Sequence, residues 1–226
     1  MSDRPSWPGW PHPDDLPTPP ERLVLHWTAG GHRAHDHELL RYHALIEHRE
    51  GDPGNPDDDH VRVLQGVPAE RNCGDVSAPA AHQDPETGYA AHVRLFNSGS
   101  IGMAVCAMRG AIDQRPDGPV DPGPSPLTRV QVTALISRSI EWCAIYGYRP
   151  TENRVMTHRE VETIHGVDQR GKWDISWLPF GDFGPDEVGP FLREQVQRGL
   201  DGEPWGAEMR ADSAENPESH AAGMVA

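Results

Sequence analysis

The sequence predicts an α/β domain. Strand-length apolar runs alternate with at least one long amphipathic helix, and turn residues separate them. At 226 residues the chain has room for one domain of ordinary size with a substantial core. The 23 prolines and 23 glycines imply that much of the remainder is loop.

Taken in order, residues 1–20 are proline-rich and read as an extended arm, lying on the domain or moving freely. Arg22 to Trp27 alternates and then turns at Ala29-Gly30-Gly31, a strand that delivers His26 at its carboxyl end. A short polar helix over His35 to Leu40 leads into a second strand, Tyr42 to Glu47. Val61 to Leu64 makes a third, and Ser100 to Met108, apolar at nearly every position, a fully buried one. Thr128-Arg129-Val130-Gln131 has the form of a capping box. It opens a helix with apolar residues at Val132, Leu135, Ile136, Ile140, Cys143 and Ala144, ending near Gly147. Arg154 to Thr157 is a further strand, ending at His158. From about Asp201 the chain is acidic and lacks periodicity, which reads as a disordered tail, so the working domain is 21–200. There is no internal repeat, P-loop or dinucleotide-binding glycine fingerprint.

A net charge of −15, from 35 acidic against 20 basic residues, excludes binding nucleic acid through phosphate neutralisation. It also opposes stable association with an anionic membrane surface. No segment approaches a transmembrane span, and the N-terminus lacks the apolar core of a secretory signal. The expectation is a protein made in the cytoplasm that reaches any extracellular substrate by release. Three cysteines without C-x-x-C spacing suggest a reducing compartment. Cys106 and Cys143 sit in apolar patterns as small core residues, leaving Cys73 as the candidate exposed thiol. Oligomeric state is not legible.

The chemistry lies in His26 and His158, each closing an apolar run, and in the tripeptide Lys172-Trp173-Asp174. Two imidazoles and a carboxylate form a three-ligand zinc set with a fourth position open, as in catalytic zinc, whereas structural zinc is closed by four ligands that usually include cysteines. The two histidines are far apart in sequence and meet only through the fold. Among 13 histidines, structurally satisfied strand-end histidines are the competing reading. The tract His32, His35 and His37 lies in a polar loop without fixed geometry, a weak candidate for a second metal site.

Five segments occur in a telling order: Val24-Leu25-His26-Trp27-Thr28-Ala29-Gly30, Tyr42-His43-Ala44-Leu45-Ile46, Asn97-Ser98-Gly99-Ser100-Ile101-Gly102-Met103-Ala104-Val105, Thr157-His158-Arg159-Glu160 and Lys172-Trp173-Asp174. Together they resemble the zinc-dependent N-acetylmuramoyl-L-alanine amidase family, which includes small phage endolysins and the peptidoglycan recognition proteins. The resemblance spans about residues 22 to 180. It implies a central mixed β-sheet flanked by helices, with the site in a groove at the strand ends. It also implies one Zn2+ ion held by His26, His158 and Asp174, and hydrolysis of the amide between the lactyl group of N-acetylmuramic acid and L-alanine of the peptidoglycan stem peptide. Lys172 matches the lysine that stabilises the oxyanion, and Tyr42 a tyrosine assisting the water or oxyanion. His92, Asn97 and Thr28 are implied to bind substrate, His92 alternatively lying behind the ligands. Some relatives carry a glutamate base where Ala104 stands here, so Glu47 and Glu160 become candidate substitutes. The setting implied is endolysin-like or prophage-like. A muropeptide-recycling amidase, a muropeptide-binding module that does no chemistry, and an interaction protein with incidental histidines are the alternatives.

Overall fold

A computed structural model describes residues 8–49, 60–74, 76 and 88–207. Its centre is a five-stranded mixed sheet of β1 (Arg22–Trp27), β2 (Ala44–Arg49), β3 (His60–Gln65), β4 (Ser100–Val105) and β5 (Val155–Thr157). The spatial order is β3-β2-β4-β1-β5. β1 runs parallel to β4 and β5, β2 runs parallel to β4, and the edge strand β3 pairs antiparallel with β2. The helices are α1 (Asp36–Leu39), α2 (Arg129–Tyr146), α3 (His158–His165) and α4 (Val188–Leu200).

The two-residue period of β1 divides the molecule. Leu23, Leu25 and Trp27 enter the main core with Ile101, Met103 and Val105 of β4, against Leu135 and Ile136 of α2 and Val188, Leu192 and Val196 of α4. Val24 faces the other way, into a smaller cluster with Val93, Met156 and Val161 under α3, and His26 shares that face. The register places His26 beside Ala104 on β4.

α2 has the expected cap, with the Thr128 hydroxyl accepting from Gln131 N and Gly147 closing the helix in the left-handed region at φ 67°. Gln131 is fully buried; its Nε2 donates to Ile46 O at 3.2 Å and Cys106 O at 2.9 Å, fastening the helix to the ends of β2 and β4. On the Pro-rich segment, Trp10 is buried and its Nε1 donates to Arg138 O on α2 at 2.9 Å, while the Tyr146 hydroxyl donates to Pro11 O at 2.9 Å.

Some element boundaries differ from expectation. β2 begins at Ala44, because Tyr42 N closes the turn of α1 on Glu38 O and Tyr42 O accepts from Val67 N. β4 stops at Val105; beyond it Met108 takes a positive φ and its N–H bonds Ser125 O. His158 begins a helix rather than only ending a strand. α4 was not expected, its first turn holding Gly189 and Pro190. The expected acidic tail lies outside the described residues from 208 onward.

Candidate metal centre

Adjacent parallel strands explain why two distant histidines meet. His26 is near the carboxyl end of β1, and β5, paired beside it, ends at Thr157, so His158 follows on the same edge of the sheet. Thr157 caps α3, its hydroxyl accepting from Glu160 N while Glu160 Oε2 accepts from Thr157 N at 2.8 Å. Glu160 is itself held by a bidentate pair with Arg193 of α4, both contacts at 2.9 Å. The third member arrives by a backbone bond: Arg159 N, a free N–H of the first turn of α3, donates to Asp174 O at 2.7 Å. Trp173 packs edge-on against Trp27 and fixes the approach.

His26, His158 and Asp174 are all buried, and a ligand atom from each lies within 4.8 Å of the others. His26 Nδ1 is 3.1 Å from His158 Nδ1 and 3.1 Å from Asp174 Oδ2, and His158 Nδ1 is 2.9 Å from the same oxygen. A tetrahedral zinc with ligands about 2 Å away sets its corners roughly 3.3 Å apart, so the donor set fits a small divalent ion in both chemistry and spread. Burial, reinforced by His158, lowers the His26 pKa to about 4 and keeps that imidazole neutral at pH 7. Burial alone would push the Asp174 carboxyl up, but His158 and His26 outweigh it and hold it well below the usual carboxylate range. His26 and Asp174 are therefore ready to ligate without first losing a proton at neutral pH.

Tyr42 stands beside this centre, its ring 5.2 Å from that of His26. Burial and then the Asp174 and Glu38 charges push its phenol up, so it stays protonated. Lys172 is exposed on the rim of a groove of about 640 Å3 that reaches His158 and His92. Arg41, Arg94 and Arg170 also line it, and among the described residues no acidic side chain does. Arg94 pairs with Asp168 at 3.0 Å. In a chain of net charge −15 this is a local reversal of sign.

Asn97 also borders the groove, though its Oδ1 accepts from His92 N at 3.1 Å and Val93 N at 3.0 Å, holding the turn. Thr28 Oγ1 accepts from Gly30 N at 3.1 Å, closing the turn after β1. His92 is buried, with Nδ1 3.0 Å from His26 Nε2 and Nε2 3.1 Å from Ser100 O.

Neither substitute carboxylate is free to act as a base. Glu160 is committed to its cap and to Arg193, and Glu47 is buried, accepting from Ala34 N at 3.0 Å. β3 covers the edge of β2 on which Glu47 sits. Of the other tract, His32 Nε2 lies 2.8 Å from Pro126 O and the His35 and His37 rings stack. Among the described residues, a three-ligand cluster forms at His26, His158 and Asp174 and not at this tract. Cys73 is half-buried, its thiol donating to Ala69 O, and burial pushes it up to about 11, away from reactive thiolate. Sequence reasoning missed Gln169, a buried loop residue 3.1 Å from His158 Nε2. No periodicity or motif marks it.

Fold and donors together define a single-domain α/β protein with a candidate mononuclear metal centre at the strand ends. No family model matches the chain, and no curated protein matches it. Among solved structures it is similar to the N-acetylmuramyl-L-alanine amidase AmiD from E. coli, solved with the substrate anhydro-N-acetylmuramic acid-L-Ala-D-gamma-Glu-L-Lys. The identity is 21%, the TM-score 0.41, and the match covers 77% of this chain and 56% of that one. The chain thus spans little more than half of that structure's length. Among the described residues no helix is long and apolar enough to cross a membrane.

Proposed function

We propose that the chain is a zinc-dependent N-acetylmuramoyl-L-alanine amidase, cutting the amide between the lactyl group of N-acetylmuramic acid and L-alanine of the stem peptide. The observation that carries the reading is the convergence of His26 Nδ1, His158 Nδ1 and Asp174 Oδ2, with His158 also lining the groove.

These three atoms would hold the ion, which supplies Lewis acidity to the amide carbonyl and makes water nucleophilic near neutral pH. The protein's own groups do the rest. Tyr42, kept protonated by burial, donates a hydrogen bond rather than accepting a proton, which suits the carbonyl oxygen as negative charge develops on it. Lys172 brings a positive charge to the same side from the groove rim. Arg41, Arg94 and Arg170 supply local attraction for a carboxylate-bearing stem peptide, which the net charge of the chain does not. Ala104, fully buried beside His26 on β4, leaves no carboxylate at that position. Its identity supports the endolysin-like or prophage-like setting over the muropeptide-recycling one.

The test is mass spectrometry of purified peptidoglycan digested by wild type, by Asp174→Ala and by chelator-treated protein. Stem peptides with a free L-alanine amino terminus should appear only with intact, zinc-loaded protein. Wild type that retains muropeptide but releases none of these products, with zinc present, is a binding module instead.

A further inference from the structure

We propose that His92 and Gln169 are positioning residues that fix the tautomers of the two ligand imidazoles, leaving both Nδ1 lone pairs aimed at one point. The proposal rests on the metal-centre reading above and concerns the groups behind the ligands, choosing for His92 a place behind His26 over substrate binding.

The first relay starts at the sheet. A backbone carbonyl can only accept, so Ser100 O, 3.1 Å from His92 Nε2, places the proton on that nitrogen. A neutral imidazole carries a single proton, so with Nε2 donating to Ser100 O the Nδ1 of His92 is a bare acceptor. His26 Nε2, 3.0 Å away, must then be the donor, and His26 Nδ1 keeps its lone pair. Gly102 makes this possible: a Cβ there would sit 2.5 Å from His92 Cγ, so the ring lies directly on the strand.

The second relay comes from the loop after α3 and is independent of the first. Gln169 Nε2 donates to Arg94 O and Val167 O, both at 3.0 Å, which decides which way the amide faces. Its Oε1 accepts from Arg94 N at 3.0 Å and stands 3.1 Å from His158 Nε2. His158 Nε2 is therefore also a donor, and in the neutral, ligating ring the lone pair is left on Nδ1. Two lone pairs and a carboxylate oxygen thus face one another at 2.9 to 3.1 Å with no hydrogen between them. Three acceptors converge stably only around a cation, and a shared proton is the competing occupant.

The experiment has two readouts besides turnover. Nitrogen-15 NMR of the imidazoles in zinc-loaded wild type should show His26 and His158 protonated at Nε2. Zinc competition against a chromophoric chelator should show dissociation constants about 10- to 100-fold weaker for His92→Leu and Gln169→Leu. Gly102→Ala, which displaces His92 without changing its chemistry, should weaken zinc similarly, and His92→Gln, whose amide oxygen can accept from His26 Nε2, should recover part of the loss. Nδ1 protonation in the wild type, unchanged affinity in the folded leucine variants, or failure of wild type to bind zinc in preference to a proton at pH 7 overturns the proposal. Tight zinc binding with the expected tautomers but no amide cleavage would remove the amidase reading and leave this one standing.

Discussion

Replacing Glu160 by alanine should cost about 4–6 kcal/mol, although the residue touches neither groove nor ligand atoms. Its carboxylate accepts from Thr157 N at 2.8 Å and receives both arms of Arg193 at 2.9 Å, with side chains only 10% and 13% exposed. Losing the reciprocal half of the cap costs roughly 1 kcal/mol. Stranding a buried guanidinium costs about 3–5 kcal/mol. The site has no slack to absorb the change, since a Cβ on Gly189 would lie 2.1 Å from Glu160 Oε1. Glu160→Gln keeps the cap acceptor and should lose roughly 2 kcal/mol, the worth of hydrogen bonds to a charged group. Urea unfolding of metal-free protein, read at constant slope, measures each value. In the double variant Glu160→Ala/Arg193→Met no buried charge is stranded, so it should be more stable than Glu160→Ala alone. Because His158 is the first residue of α3, zinc affinity should fall with the cap. A Glu160→Ala protein within 1 kcal/mol of wild type would refute the assignment of this pair as the anchor of α3.

Zinc at about 100 times its dissociation constant should stabilise wild type by roughly 2.7 kcal/mol, seen as a rise in melting temperature that Asp174→Ala abolishes. Lys172→Met should lower kcat on the order of 100-fold while leaving the zinc dissociation constant unchanged, the pattern of a lost oxyanion contact. Acid should destabilise the metal-free fold through His43, whose pKa burial lowers to about 4. The unfolded chain takes up that proton near pH 6.5, so stability is full above that value and declines as pH falls towards 4. The total is about 3 kcal/mol. His43→Gln should flatten that slope in acid titrations followed by tryptophan fluorescence, and an unchanged slope would assign the loss to other groups.

β1 with its terminal His26, and α2, were legible because each rests on a local signal: strand alternation ending in histidine, or a capping box with helical spacing, whereas Asp174 stood out only through the Lys172-Trp173-Asp174 motif. The Thr157 to Glu160 box carried the same kind of signal for α3, but reading His158 as a strand end concealed it. α4 was hidden by Gly189 and Pro190, whose poor helix propensity is offset by the burial of Val188, Leu192 and Val196. The burial of Glu47 was not legible because nothing local shows that β2 is an interior strand. Gln169 gave no sign at all, since its value lies in three tertiary contacts, to Arg94 N, Arg94 O and His158 Nε2, that no local pattern announces.

The backbone bond from Arg159 N to Asp174 O also orders events in time. His26 is separated from His158 by 132 positions and from Asp174 by 148. A ribosome-bound chain that has exposed only the first of these can offer one imidazole, and even one complete through β5 lacks the carboxylate. The whole set comes together only after the sheet has closed around β1 and the 172–174 segment has docked on α3, so an ion held by these three groups would enter at the end of folding rather than seed it.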